Sequence, residues 1–173
     1  MRRARTRRSL KIDMSPVVRT YIRPATRDDI PALVQLRLTN AERHVELDPS
    51  LFRVPSTDAV REHFEKTFDS GLFTVAEVDG EVVGMAEVVL LPPPPDHQIL
   101  VPRRNADIHT VVLDGFRGRG IGKALVAAAQ EVATAHGAWT LFATIFATNQ
   151  EAVAFYSESG FGPRGILLAR PCD

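Results

Sequence analysis

Apolar residues follow two spacings along this chain, one typical of helices and one typical of strands. Residues 30–38 and 57–68 place them every three or four positions, which predicts two helices with one buried face each. Before the first helix, residues 20–26 form a short β-rich run that predicts a strand. Residues 72–91 contain two β-rich runs on either side of Asp79-Gly80, a pair that strongly favours a hairpin turn.

A second series of elements follows the four prolines at 92–95, which interrupt the sheet. The pattern predicts two strands and two helices in alternation and then a last short strand, over residues 106–113, 120–136, 139–146, 149–160 and 165–170. The resulting order, β-α-α-β-β-β-α-β-α-β, predicts a single α/β domain with one mixed sheet. We therefore expect one domain over residues 20–173, with about six to seven strands and about four flanking helices.

The composition is that of an ordinary globular domain. Of 173 residues, 45% are hydrophobic and 24% are charged, and no run approaches the roughly 20 apolar residues of a membrane helix. The single cysteine, Cys172, excludes an internal disulfide and a thiolate metal cluster, and no two histidines have the spacing of a helical metal pair. We therefore expect a cytoplasmic protein without a metal and without membrane contact.

The net charge of zero hides a basic N-terminus. Residues 1–13 carry six cations against one anion, which leaves 15 cations and 20 anions in the rest of the chain. Because runs of like charge are usually solvated, residues 1–19 are predicted to be a disordered leader. A nucleic-acid-binding arm is the alternative, but the acidic remainder makes duplex DNA an unfavourable partner.

The segment GFRGRGIGKAL, residues 115–125, contains four glycines and three cations directly after a predicted strand. Glycines let a backbone approach a ligand closely, and free N–H groups at a helix start favour an anion. A P-loop would need glycine at Arg117 and a hydroxyl at Ala124, and a dinucleotide fingerprint would need glycine at Lys123. The remaining pattern, R-x-x-G-x-G, is predicted to hold a pyrophosphate at the start of the following helix.

Two motifs together resemble those of the GNAT-type N-acetyltransferases. The first is the R-x-x-G-x-G loop, and the second is NQEAVAFYSESGF, residues 149–161, which fits N-x-x-A-x-x-x-Y-x-x-x-G-F at every fixed position. In element order the resemblance covers residues 20–170. It implies a sheet splayed between its fourth and fifth strands, a coenzyme A site in that splay, and acetyl transfer from acetyl-CoA to an amine.

The resemblance implies a role for individual residues. Tyr156 would be the general acid that protonates the coenzyme A thiolate, and the Thr110 or Val111 amide would face the thioester oxygen. The cofactor-binding positions would lie at the strand end, in the loop and at the start of the last helix: Val111, Val112, Leu113, Arg117, Gly118, Arg119, Gly120, Ile121, Gly122, Lys123, Asn149 and Ala152. Asn149 is equally expected as a plain helix N-cap.

The general base is the least determined part of the predicted site. Ile108 and Ala106 occupy the strand positions where the family often carries a base, and neither side chain can take a proton. Glu87 on the preceding strand is our candidate base, while Glu42, His44 or a water relay are left open as alternatives.

The leading hypothesis is therefore an N-acetyltransferase that acts on a primary amine of a small molecule or peptide. The resemblance implies an acceptor pocket between residues 40–56 and 91–105. A non-catalytic acyl-CoA-binding sensor is the alternative, since no base stands at the expected strand position. An RNA-directed enzyme would rest on the basic leader alone. The oligomeric state is left open, with a homodimer as one option.

Overall fold

The computed structural model describes residues 19–170 and 172. The basic leader predicted over 1–19 lies, except for Arg19, outside the described residues. Within the described ranges no helix combines the length and the apolar character of a membrane span. The elements in chain order are β1 (Thr20–Pro24), α1 (Ile30–Leu47), α2 (Thr57–Thr67), β2 (Leu72–Val78), β3 (Glu81–Leu91), β4 (Asn105–Val112), α3 (Ile121–Ala135), β5 (Thr140–Phe142) and α4 (Gln150–Glu158).

The strands form one mixed sheet that opens at one end. Their order is β1-β2-β3-β4-β5, and every neighbouring pair is antiparallel except β4 and β5. These two strands pair only from Asn105↔Thr140 to Asp107↔Phe142. Beyond Asp107, β4 continues to Val112 with no strand on that side in the described part of the chain. The predicted splay between the fourth and fifth strands is therefore confirmed.

The strand count is lower than predicted, at five instead of six to seven within residues 19–170. The run over 139–146 forms a strand only at 140–142, because it loses its partner where β4 and β5 separate. The predicted last strand over 165–170 is wrong, since that segment has no strand conformation and its three aliphatic side chains, 166–168, are 87–88% exposed. An apolar run becomes a strand only where it has both an edge to pair with and a surface to cover.

Helices cover both faces of the sheet. One face packs against α3 and α4, with Ile108, Leu125 and Tyr156 among its buried residues. The opposite face packs against α1 and α2 around Phe64. Because successive side chains of a strand point to opposite faces, β4 contributes to both cores. Thr110, two residues after Ile108, therefore belongs to the face that carries α3 and α4.

The connection from β2 to β3 is the two-residue turn that the sequence predicted. Asp79 and Gly80 have φ angles of 50° and 90°, the left-handed values that a type I′ turn requires. The twist of such a turn matches the twist of the strands, so β2 and β3 pair along their length. Their ladder has one irregularity, between Ala76 and Glu77.

A buried carboxylate joins β1 to α1. Asp29 lies just before α1 and accepts two hydrogen bonds from the Arg23 guanidinium, at 2.7 and 2.9 Å. It also accepts the Thr26 backbone N–H at 2.7 Å, which completes a capping box at the helix entrance. The hydrogen bonds from Arg23 outweigh the effect of burial and hold the pKa of the Asp29 carboxyl below its ordinary value of 3.8.

Replacing Asp29 by Asn should destabilise the fold by about 2–3 kcal/mol, because Arg23 loses the more buried of its two carboxylate partners and keeps only Glu77, 2.9 Å away. Urea unfolding at neutral pH measures this loss. Since the folded pKa of Asp29 is lowered, its contribution is present above the ordinary value of 3.8 and disappears as the pH falls through the folded value. The gap between wild type and variant should therefore close in acid.

The exposed neighbour Asp28 provides the control, and Asp28→Asn should stay within about 0.5 kcal/mol of wild type. A stability gap for Asp29→Asn that is the same at neutral pH and in strong acid would contradict this account of the junction.

Candidate functional site

The loop between β4 and α3 places bare backbone beside a helix start. Gly118 and Gly120 have φ angles of +72° and +82°, and no other residue approaches within 4 Å of the position that their Cβ atoms would take. α3 begins at Ile121, so its first N–H groups are open to a ligand. Gly122 is required for a different reason: a Cβ there would lie 2.9 Å from the Phe155 ring on α4, so only glycine lets the two helices approach this closely. The loop thus leaves open space at the positive end of α3.

Two of the loop cations pair with carboxylates on α4. Arg117 Nη1 lies 2.5 Å from Glu151 Oε1, and Lys123 Nζ lies 3.3 Å from Glu158 Oε2. Arg119 forms no ion pair within residues 19–170. Solvent-facing pairs of this kind contribute about 0–1 kcal/mol each, so these cations can turn toward an anionic ligand at little cost.

Helix α4 brings Tyr156 into the core against α3. Asn149 caps this helix, because its Oδ1 accepts the Ala152 backbone N–H at 3.1 Å. Two turns further on, the Tyr156 side chain is only 8% exposed. Its ring packs edge to face on Phe155 and Phe161, with centres 5.0 and 5.2 Å away. Contacts on two sides restrict where the phenolic hydroxyl can lie.

The Tyr156 hydroxyl lies near Thr110 on β4. Burial raises the pKa of Tyr156 above its ordinary value of 10.0, and the hydroxyl and backbone of Thr110 offset part of that rise. The Thr110 Oγ1 atom is itself buried and close to the Tyr156 hydroxyl, but it makes no hydrogen bond of regular geometry within residues 19–170. Because buried polar atoms normally have partners, these two hydroxyls mark a polar spot on an apolar face.

Asp107 marks the point where β4 and β5 separate. Its Oδ1 accepts the adjacent Ile108 N–H at 2.9 Å, and its Oδ2 accepts the Thr144 hydroxyl at 2.9 Å. Beyond this bridge, β4 keeps its ladder to β3, while its other edge is unpaired by any strand in the described part of the chain. Such an edge can accept an extended ligand as an added strand. Sequence reasoning gave Asp107 no role, although a carboxylate in a buried strand was an available signal.

The predicted donor-pairing residues lie at the end of this open edge. The side chain of Val111 packs into the core with α1 and α2, whereas Val112 packs toward α3. The Val112 carbonyl accepts a hydrogen bond from Arg43 Nη2 on α1 at 3.0 Å, and the Leu113 N–H donates to the Val83 carbonyl at 2.9 Å. The structure thus brings the predicted strand end, the glycine loop and α4 to one end of the sheet.

Glu87, the candidate base, is ion-paired. Its Oε2 lies 2.5 Å from Arg37 Nη2 on α1, and its side chain is only 13% exposed. In the ladder between β3 and β4 it stands opposite His109, one residue before Thr110. Side-chain alternation therefore puts the Glu87 carboxylate on the face of the sheet that packs against α1, whereas the Thr110 hydroxyl lies on the other face.

Sequence reasoning missed an aromatic contact beside the open edge. Phe52, in the loop after α1, packs edge to face on Phe146, in the loop after β5, with ring centres 4.9 Å apart. The His44 ring packs on Phe52 at the same distance. Neither loop has a periodic pattern, so nothing in the sequence signalled that these aromatic residues meet. The described residues contain no cluster of His, Cys, Asp or Glu that could hold a metal.

Comparison with known proteins matches most of this chain to one protein family. Residues 39–161 match the acetyltransferase (GNAT) family model. No curated protein matches the chain significantly. The matched residues include β4, the glycine loop and α4 with Tyr156, which are the elements that border the open edge.

Solved structures share the fold at low sequence identity. A mutant of the BH1408 protein from Bacillus halodurans has a TM-score of 0.79 at 21% identity and covers 87% of this chain and 98% of its own. The aminoglycoside N-acetyltransferase AAC(6')-Iy, solved with CoA, has a TM-score of 0.67 at 21% identity over 92% and 100% of the two chains. Glucosamine-6-phosphate N-acetyltransferase from Arabidopsis thaliana has a TM-score of 0.63 at 18% identity over 90% and 99%.

At these identities the solved structures establish the fold and say nothing of a substrate. The family match, in contrast, covers well over half of the chain and contains both motifs on which the resemblance was based. This chain therefore belongs to the acetyltransferase (GNAT) family, whose members use acetyl-CoA or CoA.

Proposed function

We propose that this protein moves an acetyl group from acetyl-CoA to a primary amine of a small molecule or peptide. The observation that carries the proposal is a buried phenol, Tyr156, near a strand edge that no described strand pairs. The glycine loop at the start of α3 adjoins that edge. A binding site alone would not need a proton donor, and a structural tyrosine would not need an open edge. Their combination supports group transfer.

The donor would lie along the loop and the open edge. Backbone N–H groups of residues 118–123 would hold the pyrophosphate at the start of α3, and Arg117, Arg119 and Lys123 would add charge. The residues fit this group, because the loop glycines leave open space beside the exposed backbone. Residues 111–113 would pair with the pantetheine arm, and Asn149 with Ala152 would border it.

The chain's own groups would act on the thioester in three ways. The Thr110 N–H would stabilise charge that develops on the carbonyl oxygen. As the amine nitrogen bonds to the carbonyl carbon and the C–S bond breaks, Tyr156 would give its phenolic proton to the leaving sulfur. Burial suits this role because it keeps the phenol protonated. Glu87 remains a candidate for accepting the amine proton, although Arg37 holds its carboxylate.

A non-catalytic acyl-CoA sensor is the second candidate, and the ion-paired Glu87 is the observation that favours it. Calorimetric titration with CoA, followed by a free-thiol assay with acetyl-CoA and a panel of primary amines, separates the two functions. We expect binding together with thiol release that depends on the amine. Binding without amine-dependent release would favour the sensor, and absence of binding would overturn both.

Replacing Tyr156 by Phe should lower kcat by about 10- to 100-fold, because the leaving thiolate must then take its proton from water. The Kd for acetyl-CoA should change by less than about twofold, since the ring and its packing are kept. Tyr21, the other tyrosine, is exposed, and Tyr21→Phe is the matched control. Equal kcat values for Tyr156→Phe and wild type would show that Tyr156 is not the acid.

The pH dependence of thiol release tests the link between Thr110 and Tyr156. Since burial raises the pKa of Tyr156 above 10.0, the fall of kcat in alkali should begin above that pH. Thr110→Val removes a hydroxyl that lowers this pKa, so the alkaline fall should move to still higher pH, and Thr110→Ser should restore it. A shift of the alkaline fall to lower pH in Thr110→Val would contradict this link.

The glycine loop offers a matched pair of substitutions. Gly120→Ala disfavours the left-handed backbone by about 1–2 kcal/mol, so the free loop should leave this conformation. Binding of CoA must then restore it, which corresponds to a roughly 5- to 30-fold weaker Kd. Gly115 lies in the same loop with open space around it and without a left-handed φ, so Gly115→Ala should bind CoA as wild type does. Calorimetry measures both. Equal affinity of the two variants would contradict the proposed cradle.

A further inference from the structure

We infer that His44 accepts the proton of the acceptor amine at its Nε2 atom, beside an aromatic wall formed by Phe52 and Phe146. The wall would pack against the apolar part of the acceptor molecule that carries the amine. This inference rests on the proposed acetyl transfer and adds to it the acceptor class and the proton acceptor. Three independent features of the structure support it: the course of α1, the ring contacts and the hydrogen bond of the imidazole.

The course of α1 brings its last turns beside the open part of β4. Arg37 on α1 contacts Glu87, whose ladder partner is His109. Six residues later Arg43 contacts the carbonyl of Val112. Six helical residues rise about 9 Å and three strand residues about 10 Å, so α1 and β4 run side by side in the same direction over this length. The end of α1, with His44, is therefore level with the open edge.

The ring contacts connect this end of α1 to the far side of the gap. His44 packs edge to face on Phe52 with ring centres 4.9 Å apart, and Phe52 packs on Phe146 at the same distance. Phe146 follows β5, the strand that separates from β4. On the other side, Arg43, the residue before His44, contacts β4 itself. The segment from His44 to Phe52 therefore extends from the β4 side of the gap to the β5 side.

A backbone hydrogen bond fixes the tautomer of His44. Its Nδ1 lies 2.8 Å from the carbonyl oxygen of Asn40, one turn earlier on α1. Because a carbonyl oxygen can only accept, Nδ1 carries the hydrogen in this contact, and the lone pair of the neutral imidazole is on Nε2. Nε2 makes no hydrogen bond within residues 19–170. A neutral imidazole with one nitrogen anchored and the other available is suited to accept a proton.

Charged groups near His44 come from three elements. α1 itself carries Glu42 and Glu46, each two residues from His44 and therefore on another side of the helix. Asp48 follows the helix. Arg43, the neighbour of His44, is paired with Asp114 at 2.7 Å, so its charge is partly balanced. The loop 143–149 after β5, which brings Phe146 to the wall, carries no charged residue. The side of the wall formed by the loop after β5 is thus neutral.

The surface around the wall indicates the acceptor class. Leu47, Leu51, Val54 and Phe146 are all exposed, and they lie in the same two segments as the wall. Exposed apolar residues grouped in this way mark a binding surface. The structure therefore favours a small primary amine on an aromatic or aliphatic body over a polyhydroxylated aminosugar.

The proposed step balances as follows. The amine nitrogen forms its bond to the carbonyl carbon and gives one proton to His44 Nε2. The C–S bond breaks, and the sulfur takes one proton from Tyr156. The imidazolium loses its proton to solvent and the phenolate takes one back, so the net reaction converts amine and acetyl-CoA into amide and CoA thiol.

Chemical rescue tests the role of His44. We expect His44→Ala to lower kcat with 2-phenylethylamine by about 100-fold, as for loss of a general base, with an unchanged Kd for acetyl-CoA. Added imidazoles should restore activity, and the restored rate should rise with the pKa of the imidazole, which a purely structural role would not produce. His63→Ala, at an exposed histidine on α2, is the control that keeps wild-type activity.

The outcomes distinguish the inference from the proposed function. If wild type acetylates no member of the panel of primary amines, 2-phenylethylamine and glucosamine included, the proposed function fails and the inference fails with it. If wild type is active and His44→Ala keeps at least a third of its kcat, the inference alone is overturned. If Glu87→Gln loses activity while His44→Ala keeps it, the proton acceptor is Glu87 instead of His44.

A second variant tests the wall without touching the proton acceptor. Phe146→Ala should lower kcat/KM for 2-phenylethylamine about tenfold more than for glucosamine, since only the first amine packs on the wall. Trp139, exposed at the other end of β5, gives the control Trp139→Ala, which should leave both values unchanged. A wild-type preference for glucosamine, or equal losses for both amines in Phe146→Ala, would overturn the acceptor class.

Discussion

Beyond Asp107, β4 has a strand on one side only, and the rest of the site depends on that break in pairing. Backbone N–H and C=O groups inside a fold need partners, and no described strand supplies them along this edge. The glycine loop continues directly from β4, and α4 borders the same opening. An extended ligand placed there would gain backbone hydrogen bonds that the fold itself leaves unmade.

The alternation of side chains along β4 separates the two halves of the proposed chemistry. Thr110 belongs to the face of α3 and α4, where Tyr156 is buried, whereas Val111 packs toward α1 and α2. The proposed proton donor for sulfur and the proposed proton acceptor for nitrogen would therefore act from opposite faces. This separation would prevent direct proton transfer between them while keeping both near one strand edge.

The elements that the sequence predicted best are those with a local signal. Asp79-Gly80 encodes its own turn through two left-handed residues, and Asn149 caps α4 through a contact three residues away. The family motifs likewise lie within short segments. Residues 165–170 have a strand-like composition but no strand, because strand formation also depends on an available edge and surface, which composition does not reveal.

The parts that the sequence did not predict are long-range contacts. Glu87 was a candidate base because it is a carboxylate on the strand before β4, and its ion pair with Arg37 joins residues fifty positions apart. The bridge from Asp107 to Thr144 and the contact between Phe52 and Phe146 also join segments with no shared pattern. Such contacts follow from how helices and strands pack, so they become visible only when the fold is known.

A crystal structure of the full chain with CoA tests the central claim most directly. The account predicts that the pantetheine arm lies between β4 and β5, with the CoA sulfur within about 3.5 Å of the Tyr156 hydroxyl. The pyrophosphate should contact backbone N–H groups of residues 118–123. A CoA molecule bound away from this gap, or a sulfur remote from Tyr156 with the pyrophosphate in place, would contradict the account.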